Sequence, residues 1–405
     1  MEFFGFSLFS SLSGGALLAV AGVIFFVGLA LTIKGGDWFV DSASWFAEAT
    51  GIPKFVVGAT VVSFATTLPE LLVSVRAAMN GSAQLAIGNA VGSVTANTTL
   101  IMGVSLVAMA GVVSRKSFSL KGGLLLAAVV ALTLLSLSGL LPTWSAFVLW
   151  AIFLVFMVSN LVEGKKASVN DEIDSYEKKE IPSKIFSLKG GLLLASVIGL
   201  TLLSLSGSLP TWSAYVLWAI FLIFMISNLI EGKKGAASDA IDSYEKKEIP
   251  SKILFFIIGT AAIVFGAEFL VSSGKTIARG FNITETIIGF TVIALGTSLP
   301  ELVTTLTAIR KKESSLSVGN IIGANIIDTT LILPLCAVIN GTDLPVEKVN
   351  LVFDFPVCIA ACAVAIVPTI IMGKFKKWQG VALLAIYATY MALLVLNETG
   401  VVAIG

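Results

Sequence analysis

The stretch SFATTLPELL at residues 63–72 recurs, altered but recognisable, as ALGTSLPELV at residues 294–303. Both set hydroxyls, a proline and a glutamate inside apolar sequence long enough for a helix. A glutamate within a bilayer is costly unless it is paired, solvated or protonated, so each marks a candidate functional site. Pro69 has no N–H to donate to the carbonyl of Ala65, nor Pro300 to that of Gly296, and each helix is expected to kink or unwind in the preceding turn. Freed carbonyls are tolerated at membrane depth only where they line a polar cavity, and they are good ligands for hard cations. Thr66 and Glu70, like Thr297 and Glu301, stand four apart and share a helix face.

The two stretches belong to a longer repeat. Residues 58–101 align without a gap to 289–332 at an offset of 231, with 17 identities in 44 positions. Upstream, Gly35, Asp37, Val40 and Ser42 correspond to Gly266, Glu268, Val271 and Ser273. Downstream of each Pro-Glu pair comes a second motif, GNAVGSVTANTTL from Gly88 and GNIIGANIIDTTL from Gly319. The small residues Gly88, Gly92 and Ala96 suit close helix approach. They do not explain Asn97 and Asp328, which occupy one repeat position deep in apolar sequence, on the faces of Ser93 and Ala324. Together the halves offer three carboxylates (Glu70, Glu301, Asp328), the amide of Asn97, several hydroxyls and loosened carbonyls. An all-oxygen set of this kind suits Ca²⁺ or Na⁺ and is poor for softer metals. The bland alternative is that these polar groups bond to one another and lock a helix bundle.

Composition points to a membrane. Of 405 residues, 56% are hydrophobic and only 13% charged, and the mean hydropathy is +0.97; soluble domains carry about a quarter charged residues. A net charge of +1 argues against a nucleic-acid partner. The chain has no His, which removes imidazole metal sites and Ser/His or Cys/His nucleophile pairs. Cys336, Cys358 and Cys362 lie in apolar runs without zinc spacing and read as small core residues. Neither an enzyme nor a cofactor is expected. Runs of about 20 apolar residues, enough to cross a core of about 30 Å, predict twelve spans: 16–36, 55–79, 84–112, 120–139, 142–162, 188–207, 210–230, 253–273, 284–309, 315–339, 349–372 and 378–397. The residues before the first span lack a basic stretch and a cleavage site, so that span is expected to be retained. With the amino terminus outside, 22 of the 26 Lys and Arg residues fall on one side, which predicts that side as cytoplasmic and both termini as extracytoplasmic. The second span then pairs with the ninth. An odd shift makes the halves an inverted-topology repeat, an architecture recurrent among secondary transporters.

A second repeat is tandem and recent. The segment beginning at Ser119 returns at Ser187 with a period of 68 residues, and each copy carries two apolar segments and a charged tail, DSYEKKEIPSKI. The expected organisation is a first half at 1–118, hairpin copies at 119–186 and 187–254, and a second half at 255–405. An even number of helices per copy leaves the downstream orientation unchanged.

At its paired Pro-Glu and Gly-Asn motifs the chain resembles the calcium/cation antiporter superfamily, in its prokaryotic sodium/calcium exchanger branch. The resemblance implies an all-α polytopic membrane protein made of two inverted five-helix sets, with the duplicated hairpin bringing ten helices to about twelve. It implies ion ligands at Thr66, Thr67, Glu70, Ser93 and Asn97 in one half and at Thr297, Ser298, Glu301 and Asp328 in the other, with backbone carbonyls at Ser63 and Ala294. Ala324 stands where Ser is usual, Thr67 where Ser is common, and Ala65 where Gly is usual. The implied activity is exchange of Na⁺ for Ca²⁺ by alternating access, three sodium ions per calcium, with the bilayer as surroundings and no obligate protein partner. Ca²⁺/H⁺ exchange through the same glutamates is the alternative within transport. A passive cation channel is the alternative from another class, and would pass ions without a counter-ion.

Overall fold

The computed structural model describes residues 2–3, 6–7, 14–79, 83–109, 115–170, 248–281, 296, 298–398 and 401–402. The molecule is an all-α polytopic membrane protein. Its helices are α1 (Gly14–Thr50), α2 (Lys54–Thr66), α3 (Leu68–Met79), α4 (Ala83–Ala96), α5 (Arg115–Leu135), α6 (Ser145–Asn170), α7 (Glu248–Gly280), α8 (Leu299–Arg310), α9 (Ser314–Ile327), α10 (Phe355–Met372) and α11 (Lys377–Glu398). A π-helical turn continues α4 at Asn97–Ile101 and α9 at Asp328–Ile332, each followed by a further helical stretch, Met102–Ala108 and Leu333–Asn340. Among the described residues eight helices are long and apolar enough to cross a bilayer, and the bent pair α2–α3 makes a ninth span. The predicted spans 188–207 and 210–230 and most of 284–297 lie outside the described residues, so the count of twelve is matched only where the chain is described.

The sequence offset of 231 reappears in the helices themselves. Displaced by it, Leu68–Met79 becomes Leu299–Arg310, Ala83–Ala96 becomes Ser314–Ile327, and the π turn Asn97–Ile101 becomes Asp328–Ile332, residue for residue. The same relation pairs α1 with α7, and these mates pack antiparallel. A Cβ on Gly28 would lie 2.8 Å from the carbonyl of Gly266, and one on Gly35 would lie 2.9 Å from that of Gly259. Gly259 is the repeat mate of Gly28, and Gly266 that of Gly35. Each glycine therefore meets the mate of the other, the signature of a two-fold axis running between the helices. Without side chains the backbones come into contact, which is how membrane helices gain packing where lipid supplies no hydrophobic drive.

Two span boundaries need correction. The first apolar run, predicted at 16–36, continues as one helix to Thr50, and that predicted at 253–273 runs from Glu248 to Gly280. No proline interrupts residues 14–50, and the polar end of α1 is held by ion pairs: Asp37 with Arg310, Asp41 with Lys311 at 2.5 Å, and Glu48 with Lys54 at 2.8 Å. Lys54 also bonds Glu313 at 2.7 Å, tying the start of α2 to the α8–α9 corner.

Helices α5 and α6, from the first hairpin copy, belong to the main core. Phe118 meets Phe375 edge-on with centroids 5.0 Å apart, Phe153 packs on Phe64 of α2 at 6.1 Å, and Gly122 faces Ile366 of α10. Their connecting turn is pinned by a two-residue antiparallel pairing of Leu140–Leu141 with Leu344–Pro345 and by Asp343, which accepts from the Thr143 amide at 2.8 Å.

The glycine seam generates a direct test. Gly35→Leu and Gly266→Leu overfill it and should each cost about 1–3 kcal/mol, lowering the unfolding temperature of the purified protein. Gly22→Leu, where an added Cβ meets nothing within 4 Å among the described residues, should leave it unchanged. Equal melting of all three variants would contradict the seam.

Candidate functional site

The predicted break before Pro69 is present. Helix α2 ends at Thr66, Thr67 leaves helical geometry at φ −81° and ψ 6°, and α3 departs at 45°. Ser298 repeats the conformation at φ −87° and ψ 9°, ahead of Pro300. Each break delivers a glutamate at the third position of the next helix. Glu70 and Glu301 are 1% and 0% exposed. The Ser63 carbonyl accepts from the Thr67 amide at 2.9 Å and the Thr67 hydroxyl at 2.8 Å, with Thr66 Oγ1 at 3.3 Å. Two donors from Thr67 thus converge on a carbonyl that the family resemblance implies as a ligand, with the Thr66 hydroxyl close by.

Helices α4 and α9 supply the opposing wall. Ser93 and Asn97 on α4 and Asp328 on α9 are buried, the last two where a π turn begins. A π turn inserts one residue into the helix and rotates the residues beyond it, a device frequent at functional sites. Helix α9 reaches α2 closely because Gly319 lies against the carbonyl of Phe55 and Gly323 against that of Ala59. Their mates Gly88 and Gly92 face no atom within 4 Å among the described residues.

The halves meet at the acidic groups. Glu70 lies within electrostatic reach of Glu301 and Asp328 and beside the Ser298 hydroxyl, while Glu301 lies beside Thr66 of the other half. Among the described residues no hydrogen bond is closed at either carboxylate oxygen of Glu70, Glu301 or Asp328, at either amide atom of Asn97, or at the hydroxyls of Ser93 and Ser298. Buried polar groups are nearly always hydrogen-bonded, and leaving a charged one unmet costs several kcal/mol. So many buried oxygens in one region without a partner among the described residues do not make a self-satisfied polar lock. Among the described residues no three Asp, Glu, Cys or His side chains cage an ion unaided.

The structure therefore places Thr66, Glu70, Ser298, Glu301 and Asp328 near one another, with Ser63 and Thr67 at the break beside Thr66, and buries Ser93 and Asn97 as well. Ala294 and Thr297 lie outside the described residues. Ala324 is fully buried and places a methyl group where Ser93 has its hydroxyl in the other half.

Sequence reading missed a layer of supporting amides. Thr66 donates to Asn320 Oδ1 at 3.1 Å, across the halves, and Asn325 donates to Thr98 at 2.8 Å, again across them. Asn89 donates to Ser74 at 2.9 Å and to the Glu70 carbonyl at 3.3 Å. The spacing held the signal: Asn89, Ser93 and Asn97 recur every fourth residue, as do Asn320, Ala324 and Asp328.

Comparison with known proteins agrees with this geometry. The family model described as sodium/calcium exchanger protein matches residues 20–162 and 251–396. The chain is 30% identical over 394 residues to the sodium/calcium exchanger MaX1 of Methanosarcina acetivorans, covering 93% of this chain and 99% of that one. It is 28% identical over 329 residues to the inner membrane protein YrbG of Escherichia coli, covering 80% of each. A solved structure of the sodium-calcium exchanger NCX_Mj soaked with Na⁺ and Sr²⁺ superposes with a TM-score of 0.65 at 25% identity, over 93% of this chain and 99% of that one. With both repeat halves matched and the broken helices in place, the chain belongs to the sodium/calcium exchanger protein family, antiporters of the membrane rather than enzymes.

Proposed function

We propose that this antiporter exchanges Na⁺ for Ca²⁺ at one shared chamber, with Glu70, Glu301, Asp328, Asn97, Ser93 and the Thr66–Thr67 and Thr297–Ser298 hydroxyl pairs as ligands and the Ser63 and Ala294 carbonyls completing the shells. The observation that carries the reading is the set of buried carboxylate and amide oxygens, contributed by both halves, that close no hydrogen bond among the described residues. Their oxygen-only chemistry suits both ions. Paired hydroxyls and a carboxylate-amide pair at the π turns favour sodium coordination over proton exchange alone.

Charge sets the stoichiometry. Three Na⁺ neutralise three carboxylates, whereas one Ca²⁺ leaves a negative charge that a proton on Asp328 would remove. Exchange of three Na⁺ for one Ca²⁺ moves one net charge per cycle; a proton travelling with calcium would cancel it. Ala324 removes one hydroxyl from the second half-site, and that loss bears on the number of sodium ions held. Lys54, Lys121, Arg310 and Lys311, all ion-paired, belong to the predominantly basic side, which supports a cytoplasmic face there and extracytoplasmic termini.

Reconstituted protein provides two checks. Glu70→Gln and Glu301→Gln should each abolish sodium-driven uptake of radiolabelled calcium while leaving a folded, extractable protein; near-normal exchange by both would overturn the ligand assignment. Calcium flux by the unaltered chain should accelerate or slow with a clamped membrane potential, in the direction set by one net charge. Indifference to voltage would mean electroneutral exchange, and Ala324→Ser would then test whether the missing hydroxyl is responsible by restoring voltage dependence.

A further inference from the structure

The two hairpin copies differ in a pattern that tracks burial. Between 119–166 and 187–234, 40 of 48 positions are identical. Five of the eight changes fall where the first copy is exposed, at Leu140, Phe147, Val155, Val158 and Val162. Val130 and Ala131, half-buried, account for two more. Of the seventeen buried positions from Lys121 to Gly164, only Ala128 changes, to Ser196.

The retained set includes groups that need a matching seat. Lys121 is fully buried, donates to Glu163 at 2.8 Å and lies 4.8 Å over the ring of Phe55 on α2. The second copy keeps both charges as Lys189 and Glu231. On a hairpin whose same face met only lipid, these charges would be a cost with no return. Gly122 sits so close to α10 that a Cβ there would lie 2.9 Å from Ile366, and Gly190 keeps that glycine. At the turn, the strand pairing with Leu344–Pro345 uses backbone groups and is indifferent to the exchange of Leu140 for Ser208.

We infer that residues 187–234 fit the seat that 119–166 occupy against α2, α9 and α10, and that the fold accepts either copy, one at a time. In the full chain the first copy has the advantage. Ser117, just ahead of it, donates to Glu163 at 2.7 Å, whereas Ile185 stands at the corresponding place before the second.

The test uses disulfide trapping, independent of transport, after replacing Cys336, Cys358 and Cys362 by Ala. Deleting residues 119–186 joins Phe118 to Ser187 and restores Ser117 ahead of the second copy. In that variant Gly190→Cys with Ile366→Cys should form an intramolecular disulfide. Its yield should be within about twofold of that for Gly122→Cys with Ile366→Cys in the variant lacking 187–254, because the buried side chains packing the seat are nearly the same. A stably inserted variant without that disulfide, or with one formed only between molecules, overturns the inference. Should the deletion not insert, the full chain carries the test: Glu163→Lys unseats the first copy by stranding Lys121. The yield for Gly190→Cys with Ile366→Cys should then rise about tenfold over the chain with Glu163 intact. An unchanged yield overturns the inference equally.

Discussion

Three buried carboxylates that close no hydrogen bond among the described residues constrain everything else in this molecule. Their self-energy in a low-dielectric interior and their mutual repulsion make the bare chamber expensive. On the proposed reading cation binding relieves that cost, and the more completely an ion set neutralises the carboxylates, the more it stabilises the closed protein. In the exchange proposed above, selection between one divalent and several monovalent ions is a competition for the same oxygens. A chamber that must be filled to be stable also resists a step in which it changes sides empty, which is the requirement for antiport rather than leak.

The inverted repeat is how one chain builds such a chamber. Each half contributes a glutamate just after a non-helical residue, Thr67 or Ser298, and a helix bulged at Asn97 or Asp328, and a two-fold axis runs between α1 and α7. Because the halves run oppositely through the membrane, what one presents to the outside the other presents to the inside. The symmetry is not complete at the side chains. Asn against Asp at the π turns and Ser against Ala one turn earlier give the halves different charge and different hydroxyl content.

Much of this was legible in the sequence because its causes are local. A proline removes the bond to the carbonyl four residues back, so the turns at Thr67 and Ser298 were predictable from Pro69 and Pro300, although Pro368 stays within α10. A repeat with a constant offset carries its helix boundaries along, so α3 and α8, or α4 and α9, match to the residue. Other features depend on partners distant in the chain. The extension of α1 to Thr50 rests on Arg310, Lys311 and Lys54 meeting acids that hydropathy alone places outside a span. The cross-half bonds of Asn320 and Asn325 require knowing that α9 lies against the first half. Hydropathy likewise ranks both hairpin copies alike, since lipid-facing and core-facing leucines look the same until Lys121 is seen over Phe55.

The central claim is that Na⁺ and Ca²⁺ compete for one set of oxygens. Calcium binding to the purified protein, titrated at stepped sodium concentrations and constant ionic strength, tests it most directly. The account predicts that apparent calcium affinity falls with sodium at a slope steeper than one ion per site, and that saturating calcium restores full occupancy. A calcium affinity that is unaffected by sodium, with both ions bound together, would contradict it.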